Sequence, residues 1–289
     1  MAQCRYCGSA LSKDPAKIMC PACKQPNLPG AGFSMKPETV LMSEVKKLPV
    51  KEKRYDVGIF NEIFGGGFAK TCEVIIGGPP GAGKTTMFLM LCETILLQIP
   101  EKVDEDGKST GEKTSEVLYI ANEQIEQELE DYGDRLGLTQ KHRIRIYDAM
   151  GGLQRPLADI MSEFKPKLLI LDSLTKCIGE DVALGVRIVE NIKELTCAYK
   201  CPSLIVNQVN KEGEHAGVMK VPHAADLILS LDLDEKTGQR LLFSTKNRMG
   251  PAPLELYLRM LPVGSQRPGW LVPWQTEETD GDEEDGNEE

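Results

Sequence analysis

Long apolar runs are missing from this 289-residue chain, and none approaches the length of about 18 residues that a membrane-crossing helix needs. A helical membrane span is therefore not expected. The N-terminus also lacks the apolar core of a secretory signal, which predicts a cytoplasmic protein. No internal repeats are present, so the chain does not read as a stack of units. Aromatic residues make up only 6%. A basic excess is missing too, since 34 Lys and Arg face 44 Asp and Glu. That deficit is local: Glu277, Glu278, Asp280, Asp282, Glu283, Glu284, Asp285, Glu288 and Glu289 crowd residues 276–289, and 44 − 9 = 35 acids remain against 34 bases. The body is near neutral, so charge neither establishes nor rules out a polyanionic partner. The acidic tail is expected to be disordered. It reads either as a mimic of nucleic acid or as a solubilising end.

Hydrophobic residues reach 41%, enough for a large core plus a small module. The small module announces itself in Cys4-Arg5-Tyr6-Cys7-Gly8 and Cys20-Pro21-Ala22-Cys23, a C-x2-C-x12-C-x2-C pattern. Each x2 spacing turns two thiolates of one tight turn toward one ion, and two such knuckles predict a structural zinc ribbon over residues 1–30. So few residues cannot bury a core alone, and the ion would supply most of the folding free energy. Disulfides compete for the same cysteines, but cytosolic thiols usually stay reduced. Cys72, Cys92, Cys177, Cys197 and Cys201 lie in apolar contexts and read as reduced core residues. His215 and His223 read as loop residues rather than ligands.

The strongest signal is Gly78-Pro79-Pro80-Gly81-Ala82-Gly83-Lys84-Thr85, which fits the phosphate-binding loop G-x-x-x-x-G-K-[ST] at every fixed position. An apolar strand, Cys72–Gly77, precedes it, and an apolar helix beginning at Thr85-Thr86 follows. Glycines there let backbone N–H groups point at phosphate oxygens, and the helix N-terminus favours negative charge. Lys84 would reach the β- and γ-phosphates of ATP, and the Thr85 hydroxyl would ligate Mg2+.

Beyond the loop, strand-like runs at 116–121, 168–172 and 204–207 alternate with helical patterns near 85–99, 125–136, 153–164 and 186–199, with a weaker strand at 144–147. Such alternation predicts an α/β fold, a mostly parallel sheet between helices. Three late strands, near 227–231, 241–246 and 254–260, should extend the sheet in antiparallel fashion. Residues 31–66 read as a linker and lead-in with a flexible Gly65-Gly66-Gly67 approach, 67–275 as the ATPase domain, and 101–115 as a polar surface insertion. The strand Leu168–Asp172 ends in an acid, so Asp172 would hold Mg2+ through its water shell, although a strand-end cap gives the same pattern. Glu123 follows the strand at 116–121 as a candidate general base, or simply a helix N-terminal carboxylate. Gln208 follows the strand at 204–207 as a candidate γ-phosphate sensor, or an amide satisfying backbone.

Together these residues resemble the RadA/Sms family, bacterial RecA-like ATPases of DNA recombination and repair. The resemblance runs from Cys4 to about Val272. It rests on the four cysteines, the FGGGF run at Phe64–Phe68, the phosphate loop, the YIANEQ segment at Tyr119–Gln124, the NKEG run at Asn210–Gly213, and Lys246-Asn247-Arg248-Met249-Gly250 against the family's K-N-R-F-G. Met249 replaces the family's Phe, and Asn207-Gln208-Val209 stands where the family usually has Gly-His-Val. Past Val272 these residues show no likeness to the family's C-terminal Lon-protease-like domain, so a short form of the family is expected. The resemblance implies a RecA-type core with an N-terminal zinc ribbon, assembled as a hexameric ring on single-stranded and branched DNA. It further implies that Glu123 serves the attacking water, while Lys246 and Arg248 act on ATP held by a neighbouring subunit. Lys176, Arg187, Lys211 and Lys220 are candidate phosphate contacts in the ring channel, with few aromatics for base stacking. A recombinase or replication protein would be a further partner. Two other readings stay open: a replicative ring helicase, and a KaiC-like ATPase switch acting on protein partners.

The ribbon carries its own prediction. Replacing Cys4 or Cys20 with Ser should lower the zinc content measured by atomic absorption and unfold the module; full occupancy in either variant would contradict the assignment.

Overall fold

A computed structural model describes residues 42–45, 47–100, 116–150, 152–178, 181–207, 225–262 and 265–274. The zinc-ribbon cysteines, Gln208, Lys211, Lys220, the 101–115 insertion and the acidic tail lie outside these residues. The principal sheet has nine strands. In chain order they are β3 (Glu73–Gly77), β4 (Val117–Ala121), β5 (Ile144–Asp148), β6 (Leu168–Asp172), β7 (Ser203–Val206), β8 (Leu227–Leu233), β9 (Arg240–Asn247), β10 (Glu255–Met260) and β11 (Leu271–Pro273). A two-stranded ribbon, β1 (Arg54–Tyr55) with β2 (Phe68–Ala69), precedes them. The helices are α1 (Val50–Lys53), α2 (Lys84–Leu96), α3 (Glu126–Arg135), α4 (Leu157–Phe164), α5 (Leu174–Ile178) and α6 (Val182–Tyr199).

Across the sheet the order is β11-β10-β9-β8-β3-β7-β6-β4-β5. Every pair from β8 to β5 is parallel, so these six strands end at one edge. β9, β10 and β11 are antiparallel. β8 thus differs from the sequence expectation. It pairs in parallel with β3 from Val74–Leu227 to Gly77–Ser230, because residues 207–226 supply a crossover long enough for a parallel return. The last helix starts at Val182 rather than 186, with the Asp181 carboxylate accepting from Leu184 N at 2.9 Å as its N-cap. α4 starts only after Pro156, which can open a helix but not continue one.

Burial on both sheet faces explains the unbroken apolar strands. Val74 and Ile76, Val117, Tyr119 and Ala121, and Leu168 and Ile170 pack with α2. Ile75, Leu118 and Ile120, and Leu169 and Leu171 pack with α4 and α6. The lead-in is part of the first cluster through Tyr55, Val57, Phe60, Ile63 and Phe64. The triple glycine is therefore not a loose approach. A Cβ on Gly65 would lie 2.4 Å from Met249 O, and Arg54 donates to Phe64 O at 3.1 Å and Gly67 O at 2.8 Å. The FGGGF run is a closely packed support for the Lys246–Gly250 turn. Among the free cysteines, Cys72, Cys92 and Cys201 are buried as expected, while Cys197 on the outer side of α6 is exposed.

At the foot of β3, Glu73 is fully buried, and neither carboxyl oxygen finds a hydrogen-bond partner among the described residues. Burial pushes its pKa up to about 8; nearby Asp226 adds to this, while Lys193 and Lys246 oppose it. Asp226 accepts Glu73 N at 3.0 Å and pairs with Lys193. A carboxyl whose folded pKa exceeds its unfolded value binds more protons when folded, so its contribution is full below the unfolded pKa and lost as pH rises to the folded one. Between about pH 4.5 and 8, then, Glu73 makes the fold less stable as pH rises. Glu73→Gln should flatten this slope in urea denaturation and be more stable than the parent at pH 8; an unchanged slope would contradict the assignment.

Candidate functional site

The parallel strands deliver three loops to one edge of the sheet. β3 runs into the phosphate loop, where Gly78 is indispensable: its φ is 140°, and a Cβ there would lie 2.2 Å from Leu231 O on β8. Gly83 caps α2 with φ 107°, and Lys84 opens the helix. Lys84 is buried and its Nζ donates to the carbonyls of Gly78 and Pro79, both at 2.8 Å. Burial lowers its pKa, and the nearby Asp172 and Glu123 carboxylates work against that shift. An ammonium held by two carbonyls of its own loop is poised to exchange them for phosphate oxygens. Pro79 and Thr85 are half-buried, Pro80 and Gly81 are exposed, and Ala82 and Thr86 are buried. Behind the loop, Arg240 of β9 donates from Nε to Ala82 O at 2.9 Å.

β6 brings Asp172 to the same edge. Its Oδ2 receives the Tyr119 hydroxyl at 2.6 Å and the Thr85 hydroxyl at 3.4 Å. Burial raises the pKa of this 4%-exposed carboxyl, and the two hydroxyls and Lys84 resist the rise. Asp172 and Thr85 present hard oxygen donors beside a phosphate loop, the chemistry that suits Mg2+. Among the described residues there is no cluster of three or more His, Cys, Asp or Glu that could hold a metal ion.

β4 supplies the third loop. Asn122 N donates to Asp172 O at 2.9 Å, and the Asn122 side chain bridges the backbone of Ser173, accepting from its N–H and donating to its C=O at 2.8 Å. Asn122 also donates to Cys177 Sγ at 2.9 Å. Ser173 in turn donates from Oγ to Glu123 Oε1 at 3.0 Å. Glu123 is half-buried and is placed by these bonds beside the mouth of the phosphate loop. The residues after β4 and β6 are thus stitched together, and Lys84, Thr85, Asp172 and Glu123 converge.

Lys246 and Arg248 do not join them. Lys246 pairs with Ile228, which pairs with Ile75, so it sits partway down toward the foot of the sheet. The register places Thr245 as an extra residue just before it, a bulge that re-aims the side chains that follow. Arg248, Asp226 and Glu73 are among its charged neighbours. Arg248 is exposed, its N–H donates to Asp226 O at 2.9 Å, and its guanidinium faces Asp226 Oδ1 at 3.6 Å. Along the strands, at about 3.3 Å per residue, the level of Ile75 and Lys246 lies about 10 Å from Gly78, and that of Glu73 about 16 Å. Lys176 on α5 and Arg187 on α6 are exposed on the helices that follow β6. Tyr119, Asn122, Ser173 and Arg240 were not legible as site residues. Only Tyr119 and Asn122, both inside the YIANEQ segment, had any signal to offer.

A family model described as "ATPase: KaiC" matches residues 56–258. The chain belongs to this family of ATPases. It is 27% identical over 272 residues to the DNA repair protein RadA of Bacillus subtilis (strain 168), covering 86% of this chain and 55% of that protein. RadA of Aquifex aeolicus (strain VF5) is 28% identical over 263 residues, covering 86% and 54%. The chain therefore spans about half the length of the curated relatives it matches. Among solved structures, a KaiC-like protein from Pyrococcus horikoshii OT3 superposes with a TM-score of 0.58 at 17% identity, over 77% of this chain and 99% of that one; at that identity the likeness speaks for the fold. This protein is a RecA-like, ATP-hydrolysing enzyme. No described helix is long and apolar enough to cross a membrane.

The geometry separates two roles experimentally. Lys84→Ala should abolish nucleotide binding in a fluorescent-ADP titration. Glu123→Gln should bind normally and lose turnover by about 100-fold or more; an active Glu123→Gln enzyme would place the base elsewhere.

Proposed function

We propose that this chain is a DNA-directed ATPase motor of RadA type, hydrolysing ATP between subunits of a ring on single-stranded or branched DNA. One observation carries the reading. The site has two separate clusters of charge: Lys84 with Asp172 and Glu123 at the C-terminal edge, and Lys246 with Arg248, Asp226 and Glu73 toward the foot. Arg248 lies by Asp226 at the foot and Lys246 level with Ile75, both apart from the chain's own loop, and this separation supports a role toward ATP held by a neighbour.

In this account ATP occupies the loop and Lys84 trades its two carbonyls for β- and γ-phosphate oxygens. Thr85 and, through water, Asp172 would hold Mg2+, which when bound supplies neutralising charge at the phosphates. Glu123, oriented by Ser173, takes the proton of the attacking water. Gln208, two residues past the end of β7, senses the γ-phosphate. Lys246 and Arg248 from the adjacent subunit neutralise charge developing on the transferred phosphoryl group, making hydrolysis depend on assembly. Lys176, Arg187, Lys211 and Lys220 would bind DNA phosphates, and Cys4, Cys7, Cys20 and Cys23 a structural zinc. The name of the curated relatives, DNA repair protein RadA, supports DNA as the partner.

A second reading, an ATPase switch acting on protein partners, draws on the family model and the archaeal KaiC-like structure. Steady-state hydrolysis with and without single-stranded DNA separates the two. Marked stimulation, lost about a thousandfold in Lys246→Ala, is expected of the motor. Hydrolysis indifferent to DNA, in parent and variant alike, would favour the switch.

A further inference from the structure

The hydroxyl of Tyr119 is a polar group that packing does not require. On its α2-facing side β4 presents Val117, Tyr119 and Ala121, all in the apolar cluster around α2. Tyr119 is 1% exposed, and a phenyl ring would fill nearly the same volume. Its O–H nevertheless lies 2.6 Å from Asp172 Oδ2. The strand register makes the contact possible. Ala121 pairs with Asp172 and Tyr119 with Ile170, so Tyr119 is the diagonal neighbour of Asp172 on the same face, within reach of an aromatic side chain. A carboxylate only accepts, so the phenol donates; burial holds the phenol pKa well above its ordinary value and keeps the proton in place.

The oxygen that receives this bond is also the one that faces Thr85, at the longer distance of 3.4 Å. Of the two donors, Tyr119 makes the closer contact, and it comes from β4, which is hydrogen-bonded to a strand on either side, whereas Thr85 stands in the first turn of α2, beside the loop that must accommodate nucleotide. We propose that Tyr119 is a positioning residue for the divalent cation: its hydroxyl pins the Asp172 carboxylate toward Thr85, so that the cation site is formed before nucleotide and metal arrive. The proposal rests on the reading of Asp172 and Thr85 as the cation-holding pair. A carboxylate that holds a cation through water must be oriented no less than a direct ligand, and losing a group of this outer layer commonly weakens metal binding about 10-fold or more.

The test measures metal rather than turnover. Free Mn2+ is followed by electron paramagnetic resonance in the full chain saturated with ADP, for the parent, Tyr119→Phe, Asp172→Asn and the double variant. Tyr119→Phe should raise the Mn2+ dissociation constant about 10-fold, with ADP affinity in excess EDTA unchanged. In the Asp172→Asn background the same change should add little, because the group it positions is gone. A purely structural tyrosine would lower the unfolding temperature and leave the Mn2+ constant where it was, and that result overturns the proposal. If Asp172→Asn itself leaves Mn2+ binding unaltered, the underlying reading of Asp172 fails instead, and the Tyr119 role falls with it. Should Tyr119→Phe not fold, 3-fluorotyrosine placed at position 119 alone keeps the hydrogen bond: its fluorine resonance should shift when Mg2+ is added to the ADP complex, and no shift would overturn the proposal.

Discussion

The parallel register of β3, β7, β6 and β4 is the constraint on which the rest of the molecule depends. Strands that run the same way end at the same edge, and loops leaving that edge form the crevice where ligands bind in open α/β sheets. β3 delivers the phosphate loop, β6 delivers Asp172 and β4 delivers Asn122 and Glu123. The hydrogen bonds from Tyr119 and Thr85 to Asp172, and from Asn122 and Ser173 between the two neighbouring loops, then fix side chains whose backbones the register has already brought together. A slip of one residue in β6 would turn Asp172 to the other face of the sheet.

The same geometry keeps Lys246 and Arg248 away. They leave β9, which runs antiparallel to β8, so the end of β9 points back toward the foot. There the FGGGF run supports them through the close approach of Gly65 to Met249 and through Arg54. Asp226 receives Arg248 on one side and Lys193 on the other. Two charged clusters thus lie apart on one sheet, Lys84 with Asp172 and Glu123 at its C-terminal edge and Lys246 with Arg248 and Asp226 farther down, and in the proposed account a second copy of the chain brings them together.

Much of this was legible in the sequence, for physical reasons. The phosphate loop is local: its glycines, lysine and threonine act through a single turn between a strand and a helix. Strands buried on both faces are apolar throughout, so β3, β4, β6 and β7 could be read as runs. The direction of β8 could not, because its pattern is the same for parallel and antiparallel pairing, and only the crossover decides. The role of Gly65–Gly67 was misread because close packing against Met249 joins residues about 185 positions apart, a contact no local pattern encodes. Tyr119 escaped for a related reason: on an apolar strand it looks like any aromatic core residue, and only the register with β6 puts its hydroxyl beside a carboxylate.

The claim that hydrolysis is completed by a neighbouring copy is tested most directly by mixing two inactive variants. Glu123→Gln lacks the base but keeps its cations at the foot; Lys246→Ala keeps the base but lacks a cation. In a mixed assembly some interfaces bring an intact Glu123 against an intact Lys246. The account predicts that ATP hydrolysis reappears on mixing, although each variant alone is inactive. Continued inactivity of assemblies shown to contain both variants would contradict it.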